Sequence, residues 1–233
     1  MSCELRFGER QIREPPKGMK RSKTDTLLSI QSDEFVWSEQ GLSEAHREIL
    51  PILKSWLSQP KVKRVLDIGS GNGALTNELS RTGLEMVGCE ISESGLAIAR
   101  EAYPDISFIQ TGVESALPPE MWGRFDAVIS VEVIEHLFQP RLLFERAKEA
   151  LRSEGSFVVT TPYHGYWKNL TLALLDKLDQ HWHPLRDYGH IKFFSRKTLS
   201  ELFQEQGFRL GRIARVGRIP PLAKSMIIEG ILA

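Results

Sequence analysis

The chain has 233 residues, 41% of them hydrophobic and 26% charged, a composition that fits one globular catalytic-size unit with a sizeable core. Lys plus Arg and Asp plus Glu both total 30, so the zero net charge excludes a whole-surface attraction to nucleic acid or to an anionic membrane. No apolar run approaches the roughly 18 residues of a membrane span and the polar start lacks a signal-peptide core; a cytoplasmic protein is expected, with peripheral membrane contact and oligomeric state left open.

Residues 1–35 hold Pro15, Pro16, Gly18 and many charges without apolar periodicity, so a flexible N-terminal arm is expected ahead of a domain over 36–233. The arm is mostly basic over 6–23, and Arg209, Arg212, Arg215 and Arg218 recur near the other end; these are solvated faces or a site for an anionic substrate. Cys3 and Cys89 differ in setting, one terminal and one in an apolar run, so neither a disulfide nor a thiolate metal site is indicated. Residues 43–58 place Ala45, Ile49, Ile52, Leu53 and Trp56 on one side of a helix capped by Ser43, with Pro51 predicting a kink or a split.

Residues 64–73 read RVLDIGSGNG. Val65, Leu66 and Ile68 form a short buried strand; Gly69, Gly71 and Gly73 follow at alternate positions, and residues 74–82 are good helix formers. A glycine loop between a strand end and a helix N-terminus exposes backbone N–H groups to a nucleotide-type ligand. Gly69, Gly71 and Ala74 also satisfy a loose dinucleotide fingerprint. Asp67, two residues before the first glycine, argues against it, because a carboxylate repels a pyrophosphate and attracts an ammonium or a sulfonium. Glu90 closes the next apolar run, 85–90, at the distance expected of an acid that takes a ribose diol.

Further strands and helices alternate: a helix over 92–103 ended by Pro104, a strand over 106–110, a loop over 111–117, a strand over 125–131, a helix over 141–152 and a strand over 155–160. Such alternation predicts an α/β fold with a mostly parallel sheet, helices on both faces and an antiparallel late strand. Residues 161–189 break the pattern with Tyr163, His164, Tyr166, Trp167, His181, Trp182, His183 and Tyr188 around an amphipathic segment at 170–178. This is read as a substrate-side insertion, since it follows a strand's carboxyl end. A helix then runs over 195–207, capped by Ser195 and stopped by Gly207, with late strands at 208–216. The tail 219–233 is apolar at its end, which suits a dimer or lipid contact.

The fourth strand runs into Glu132, Glu135 and His136 (EVIEH). On a helix these spacings share a face, so two carboxylates and an imidazole converge on a point suited to magnesium, manganese or another divalent ion. His190, ahead of a strand-like KFF, is the candidate fourth ligand. Without a metal, His136 or His190 serves as general base.

The strand acid followed by G-x-G-x-G resembles the first motif of class I S-adenosylmethionine-dependent methyltransferases, and EVIEH with a later histidine is similar to two of their groups, the ubiquinone-pathway O-methyltransferases and the terminal-ribose methyltransferases of small RNAs. The resemblance implies a Rossmann-like methyltransferase sheet and a cofactor, S-adenosylmethionine, held by Asp67, Gly69, Gly71, Gly73, Glu90, Ile91, Gly112, Val113 and Ser130, with Glu114 beside the adenine loop. It also implies a divalent ion on Glu132, Glu135, His136 and His190, and an N-terminal segment, with Phe35, Val36 and Trp37 its apolar residues, closing over the cofactor. A cation touching two neighbouring oxygens favours a catechol or a ribose end as methyl acceptor. Zero net charge and little chain beyond the catalytic unit favour a small phenolic acceptor over RNA; a methyltransferase-like binding module without turnover is the remaining alternative.

Overall fold

The structure, a computed structural model, describes residues 37, 40–182 and 184–232; the flexible, basic arm expected over 1–35, with Cys3 and Phe35 in it, and also Val36 and His183 lie outside the described residues. Seven strands form one sheet: β1 (Arg64–Ile68), β2 (Glu85–Glu90), β3 (Ser107–Gln110), β4 (Phe125–Val131), β5 (Leu151–Pro162), β6 (Phe208–Val216) and β7 (Ser225–Leu232). Their order is β3-β2-β1-β4-β5-β7-β6, with β1 to β5 parallel and β7 antiparallel to both its neighbours. The inner parallel strands β1, β2 and β4 are buried on both faces, which is why they read as continuous apolar runs; the edge strand β3 is exposed at Ser107 and Gln110.

Helices α1 (Glu44–Leu57) and α2 (Ala74–Ser80) cover one face, packing Ile49, Leu53, Leu75 and Leu79 against Val65, Ile129 and Val158. On the other face α4 (Pro140–Ala150) and α7 (Arg196–Glu205) bring Leu143, Phe144, Leu199 and Phe203 onto Leu66, Val128 and Phe157. Phe144, Phe157, Phe203 and Phe208 meet largely edge to face, the ring centroids of Phe144 and Phe203 lying 4.9 Å apart, a geometry in which aromatic quadrupoles attract. The shorter α3 (Glu93–Ala102) packs Leu96 and Ala99 on Phe108.

The predicted caps are present: Ser43, Ser92 and Ser195 accept the N–H groups of His46, Gly95 and Thr198 at 3.1, 3.2 and 3.3 Å, each worth about 1 kcal/mol of helix stability. Pro51 lies inside α1 and does not split it into two elements; its ring is exposed.

Other expectations are corrected. The apolar tail is no contact surface: Met226, Ile227 and Ile228 are fully buried in β7, which lies between β5 and β6. Of the arginine series at 209–218, Arg209, Arg215 and Arg218 are exposed, in line with solvated faces, and Arg212 alone is half-buried, on Glu229 at 2.7 Å and over the Trp56 ring. The KFF stretch is not a strand, and the insertion's amphipathic segment is two short helices, α5 (Tyr166–Leu174) and α6 (Leu178–Trp182), parted at Asp176 with φ 52°. Helix α4 gives way at Leu151 to a β5 longer than the expected 155–160. Among the described residues no helix is long and apolar enough to cross a membrane.

Candidate active site

Parallel strands deliver their carboxyl ends to one edge, where β1 carries Asp67, β2 Glu90 and β4 the segment 132–136. Asp67 is 1% exposed; its Oδ2 accepts the Thr76 hydroxyl at 2.7 Å, while Oδ1 is buried with no hydrogen-bond partner among the described residues. Burial pushes its carboxyl up to about 7, against the pull of the Thr76 hydrogen bond. Thr76 was not among the expected site residues; its position three residues into the helix behind the glycine loop is the signal that could have found it.

The glycine loop is shaped by close approach and by left-handed backbone. Gly69 has φ 82°, and a Cβ on it would strike the Val133 side chain; Gly71 has φ 54°, and a Cβ there would strike the Trp37 ring. Trp37 is the one expected closing residue that is described: its backbone N–H donates to Ser94 Oγ at 3.0 Å and its indole lies against Gly71 and Gly95. The Glu90 carboxylate accepts the N–H groups of Gly71, Ile91 and Ser92 at 2.7, 2.9 and 2.9 Å. A carboxylate offers about four acceptor directions, so one remains.

The residues fit S-adenosylmethionine on one count read from the structure, a buried, unpartnered carboxylate oxygen on Asp67 to meet an ammonium. Ile91 is 57% exposed beside Gly112, and Val113 is buried beneath that loop, a placement suited to a flat base. Ser130 differs, since its buried hydroxyl donates to the Ile68 carbonyl at 3.0 Å and serves the sheet. Glu114 is exposed, with its carboxylate close to Gly112.

Segment 132–136 is not the helix that the spacing suggested. Glu132 turns into left-handed backbone, φ 55°, and only a single 3-10 turn, Ile134–His136, follows. That turn parts the acids. Glu132 directs its oxygens to the hydroxyls of Thr160 and Ser225 at 2.9 and 3.3 Å, under the influence of buried Lys168. Glu135, His136 and His190 instead converge, with one ligand atom from each within 4.8 Å of the others, and Glu132 does not join them.

Within the trio, Glu135 is fully buried; its Oε2 accepts the Thr161 hydroxyl at 3.0 Å and its Oε1 faces His190 Nε2 at 3.9 Å. The Glu135 carbonyl accepts the N–H groups of Ile191 and Lys192 at 2.9 and 3.0 Å, which brings His190 alongside. Carbonyls of Tyr188 and Gly189 lie 3.1 and 3.2 Å from His136 Nδ1, and since a carbonyl only accepts, Nδ1 carries the proton and Nε2 keeps its lone pair. Burial lowers the His136 imidazole's affinity for a second proton, against those two carbonyls, and burial holds Glu135 well above the usual carboxylate range, with Glu132 adding to it. The His136 and His190 ring centroids are 4.9 Å apart. Thr160, Thr161, Ser225 and Lys168 were not foreseen; only the threonines, polar residues ending an apolar strand, carried a legible signal.

The family model described as "Methyltransferase domain" matches residues 39–212. Ubiquinone biosynthesis O-methyltransferases of Bradyrhizobium diazoefficiens and Ruegeria pomeroyi are 36% and 30% identical over 143 and 149 residues, 59% and 62% of this chain. The chain spans only 55% and 59% of the length of those curated relatives. Among solved structures, magnesium protoporphyrin IX methyltransferase from Synechocystis, with bound SAH, superposes with a TM-score of 0.62 at 16% identity, covering 84% of this chain and 90% of that one. A 1,6-didemethyltoxoflavin-N1-methyltransferase from Burkholderia thailandensis gives 0.61 at 17%, covering 82% and 79%. With the strand acid, the glycine loop and the sheet order in place, and the family model matched over well more than half its length, the chain belongs to the methyltransferase domain family, in its class I, S-adenosylmethionine-dependent form.

Proposed function

We propose that the chain transfers a methyl group from S-adenosylmethionine to an oxygen of a small acceptor bearing two neighbouring oxygens, a catechol being the simplest. The observation that carries this reading is the convergence of Glu135, His136 and His190 on the same sheet edge as Asp67. The names of the similar ubiquinone biosynthesis O-methyltransferases support oxygen as the acceptor atom.

When bound, S-adenosylmethionine supplies a methyl on a sulfonium. Asp67 would take its ammonium and Glu90 a ribose hydroxyl. Two roles are open to the trio. Glu135, His136 and His190 would hold a divalent cation, a mixed oxygen and nitrogen set that suits magnesium, manganese or a related ion, and such a cation eases deprotonation of an acceptor hydroxyl. Alternatively His136 would act as general base: with its Nδ1 proton fixed by the two carbonyls, Nε2 would take the proton of the acceptor hydroxyl.

Labelled methyl transfer from the cofactor to a panel of catechols, with a terminal-ribose RNA as comparator, tests the reading. Transfer to a catechol oxygen is expected, and transfer to RNA alone, or to neither while cofactor binds, overturns it. Chelation followed by magnesium or manganese separates the two roles, because the general-base version is indifferent to both.

A further inference from the structure

Among the described residues four other than glycine take left-handed backbone, and two of them, Glu132 and Tyr188, flank the trio of Glu135, His136 and His190. Such backbone is uncommon for a residue with a Cβ, and where it persists it gathers at working sites. Tyr188 is the less expected of the pair. Its φ is 56°, and it is the third residue of a tight turn that the Gly189 N–H closes by donating to the Arg186 carbonyl at 3.2 Å. Asp187, before it, is not left-handed, so this is the place in a type II turn ordinarily left to glycine or asparagine. The glycine of this stretch stands one position later, where a Cβ would strike the Arg186 carbonyl oxygen, and the left-handed turn falls to a tyrosine.

Burial of the ring does not explain that backbone, since Tyr188 is half exposed. The main chain does. The carbonyls of Tyr188 and Gly189 lie 3.1 and 3.2 Å from His136 Nδ1, and just beyond them the N–H groups of Ile191 and Lys192 donate to the Glu135 carbonyl at 2.9 and 3.0 Å. His190 sits between these two clasps. Right-handed or extended backbone at Tyr188 would rotate the chain beyond its Cα by roughly 120° or more about φ, and would carry both carbonyls off the imidazole. The tautomer of a histidine is set by the hydrogen bond that its other nitrogen makes, so losing those carbonyls frees the proton to move to Nε2.

We propose that Tyr188 is a positioning residue, whose left-handed backbone turns two successive carbonyls onto His136 Nδ1 and so keeps Nε2 free of a proton. Both roles open to the trio need this, because a cation and an acceptor proton alike require a lone pair there. The inference rests on the proposed function only in giving His136 work at the acceptor. It also ties that work to the insertion, which supplies the turn. The phenol ring has no part in it, so the position accepts any residue that tolerates positive φ. Asparagine and glycine do, and β-branched residues do not.

The test compares Tyr188→Val with Tyr188→Asn and Tyr188→Gly in the full chain, by steady-state kinetics and by nitrogen NMR. For NMR the histidines are isotope-labelled, the protein is treated with a chelator, and the sample is held at about pH 8, where imidazoles are neutral. The His136 signals, assigned by their loss in His136→Gln, report which ring nitrogen carries the proton. Wild type, Tyr188→Asn and Tyr188→Gly are expected to show the Nδ1–H form. Tyr188→Val is expected to shift toward the Nε2–H form, with kcat for methyl transfer lowered about tenfold or more and KM changed little. Tyr188→Asn and Tyr188→Gly are expected to recover most of that kcat. Wild type lacking the Nδ1–H form overturns the proposal without any variant, and so does Tyr188→Val keeping that form. Equal loss of kcat in all three variants also overturns it, since the role then belongs to the ring. If no acceptor is methylated, the proposed function fails, and the nitrogen signals still decide for Tyr188.

Discussion

Asp67 is ionised at neutral pH only at a cost, because burial without a compensating cation holds its carboxyl near 7. A buried acid whose folded pKa stands above its unfolded value near 3.8 destabilises the fold as pH rises from about 4 through 7, and the bound ammonium of the cofactor would offset that cost. Two outcomes follow for Asp67→Asn. The cofactor-free variant should melt several degrees above wild type at pH 8 and at nearly the same temperature at pH 4–5. Its affinity for adenosylhomocysteine by calorimetry should be about 10–100-fold weaker and flat with pH, whereas wild-type affinity tightens from pH 6 to pH 8. At the other end of the site, His136→Ala should lower kcat by about 10²–10³ with little change in cofactor affinity, read by steady-state kinetics. The trio's members were legible as residue types because acids and histidines crowd together in few places. Which acid belonged was not legible: Glu132 departs through a left-handed turn stabilised by Thr160 and Ser225, partners drawn from strands 28 and 93 residues away in the chain.

At the scale of elements, the strand-loop-helix unit from β1 to α2 was readable because its constraints are local. Gly69, Gly71 and Gly73 all take positive φ, and Gly73 serves as the left-handed N-cap of α2. Gly71→Ala should therefore cost about 1–2 kcal/mol from backbone strain alone, and more from displacing Trp37. Denaturant unfolding of Gly71→Ala, Trp37→Ala and the double variant separates the two, because the collision vanishes in the double variant and the strain stays. Glu90 also acts at this scale. By accepting three N–H groups from the glycine loop and the start of α3 it sets the spacing between the two elements, so Glu90→Ala should lose stability as well as cofactor affinity. What sequence could not convey was the end of the insertion: residues 192–194 are apolar enough for a strand, yet the N–H groups beside them are taken by the Glu135 carbonyl rather than by the sheet.

Across the molecule the order of the sheet decides what the apolar tail does. Residues 225–232 were misread because an interior strand buried on both faces has the same apolar signature as a surface meant for a partner, and only pairing partners distinguish them. Here β7 supplies the partners: Val158 and Val159 of β5 stand beside Glu229 and Ile228, and β6 closes the far side. Its Glu229, 4% exposed, is the one acid in the run, and it is held by Arg212, whose guanidinium also stacks on Trp56 of α1. Removing one partner of such a pair leaves a buried charge, a loss of about 3–5 kcal/mol, whereas replacing both can be nearly neutral. Arg212 is partly exposed, which lowers the figure for its removal. Arg212→Met should therefore destabilise by about 2–4 kcal/mol in urea unfolding, and Arg212→Met with Glu229→Leu should recover most of that loss. Recovery would place the ion pair among the devices that register β6 against β7. A double variant as unstable as the single one would instead mean that the arginine acts through Trp56 and α1.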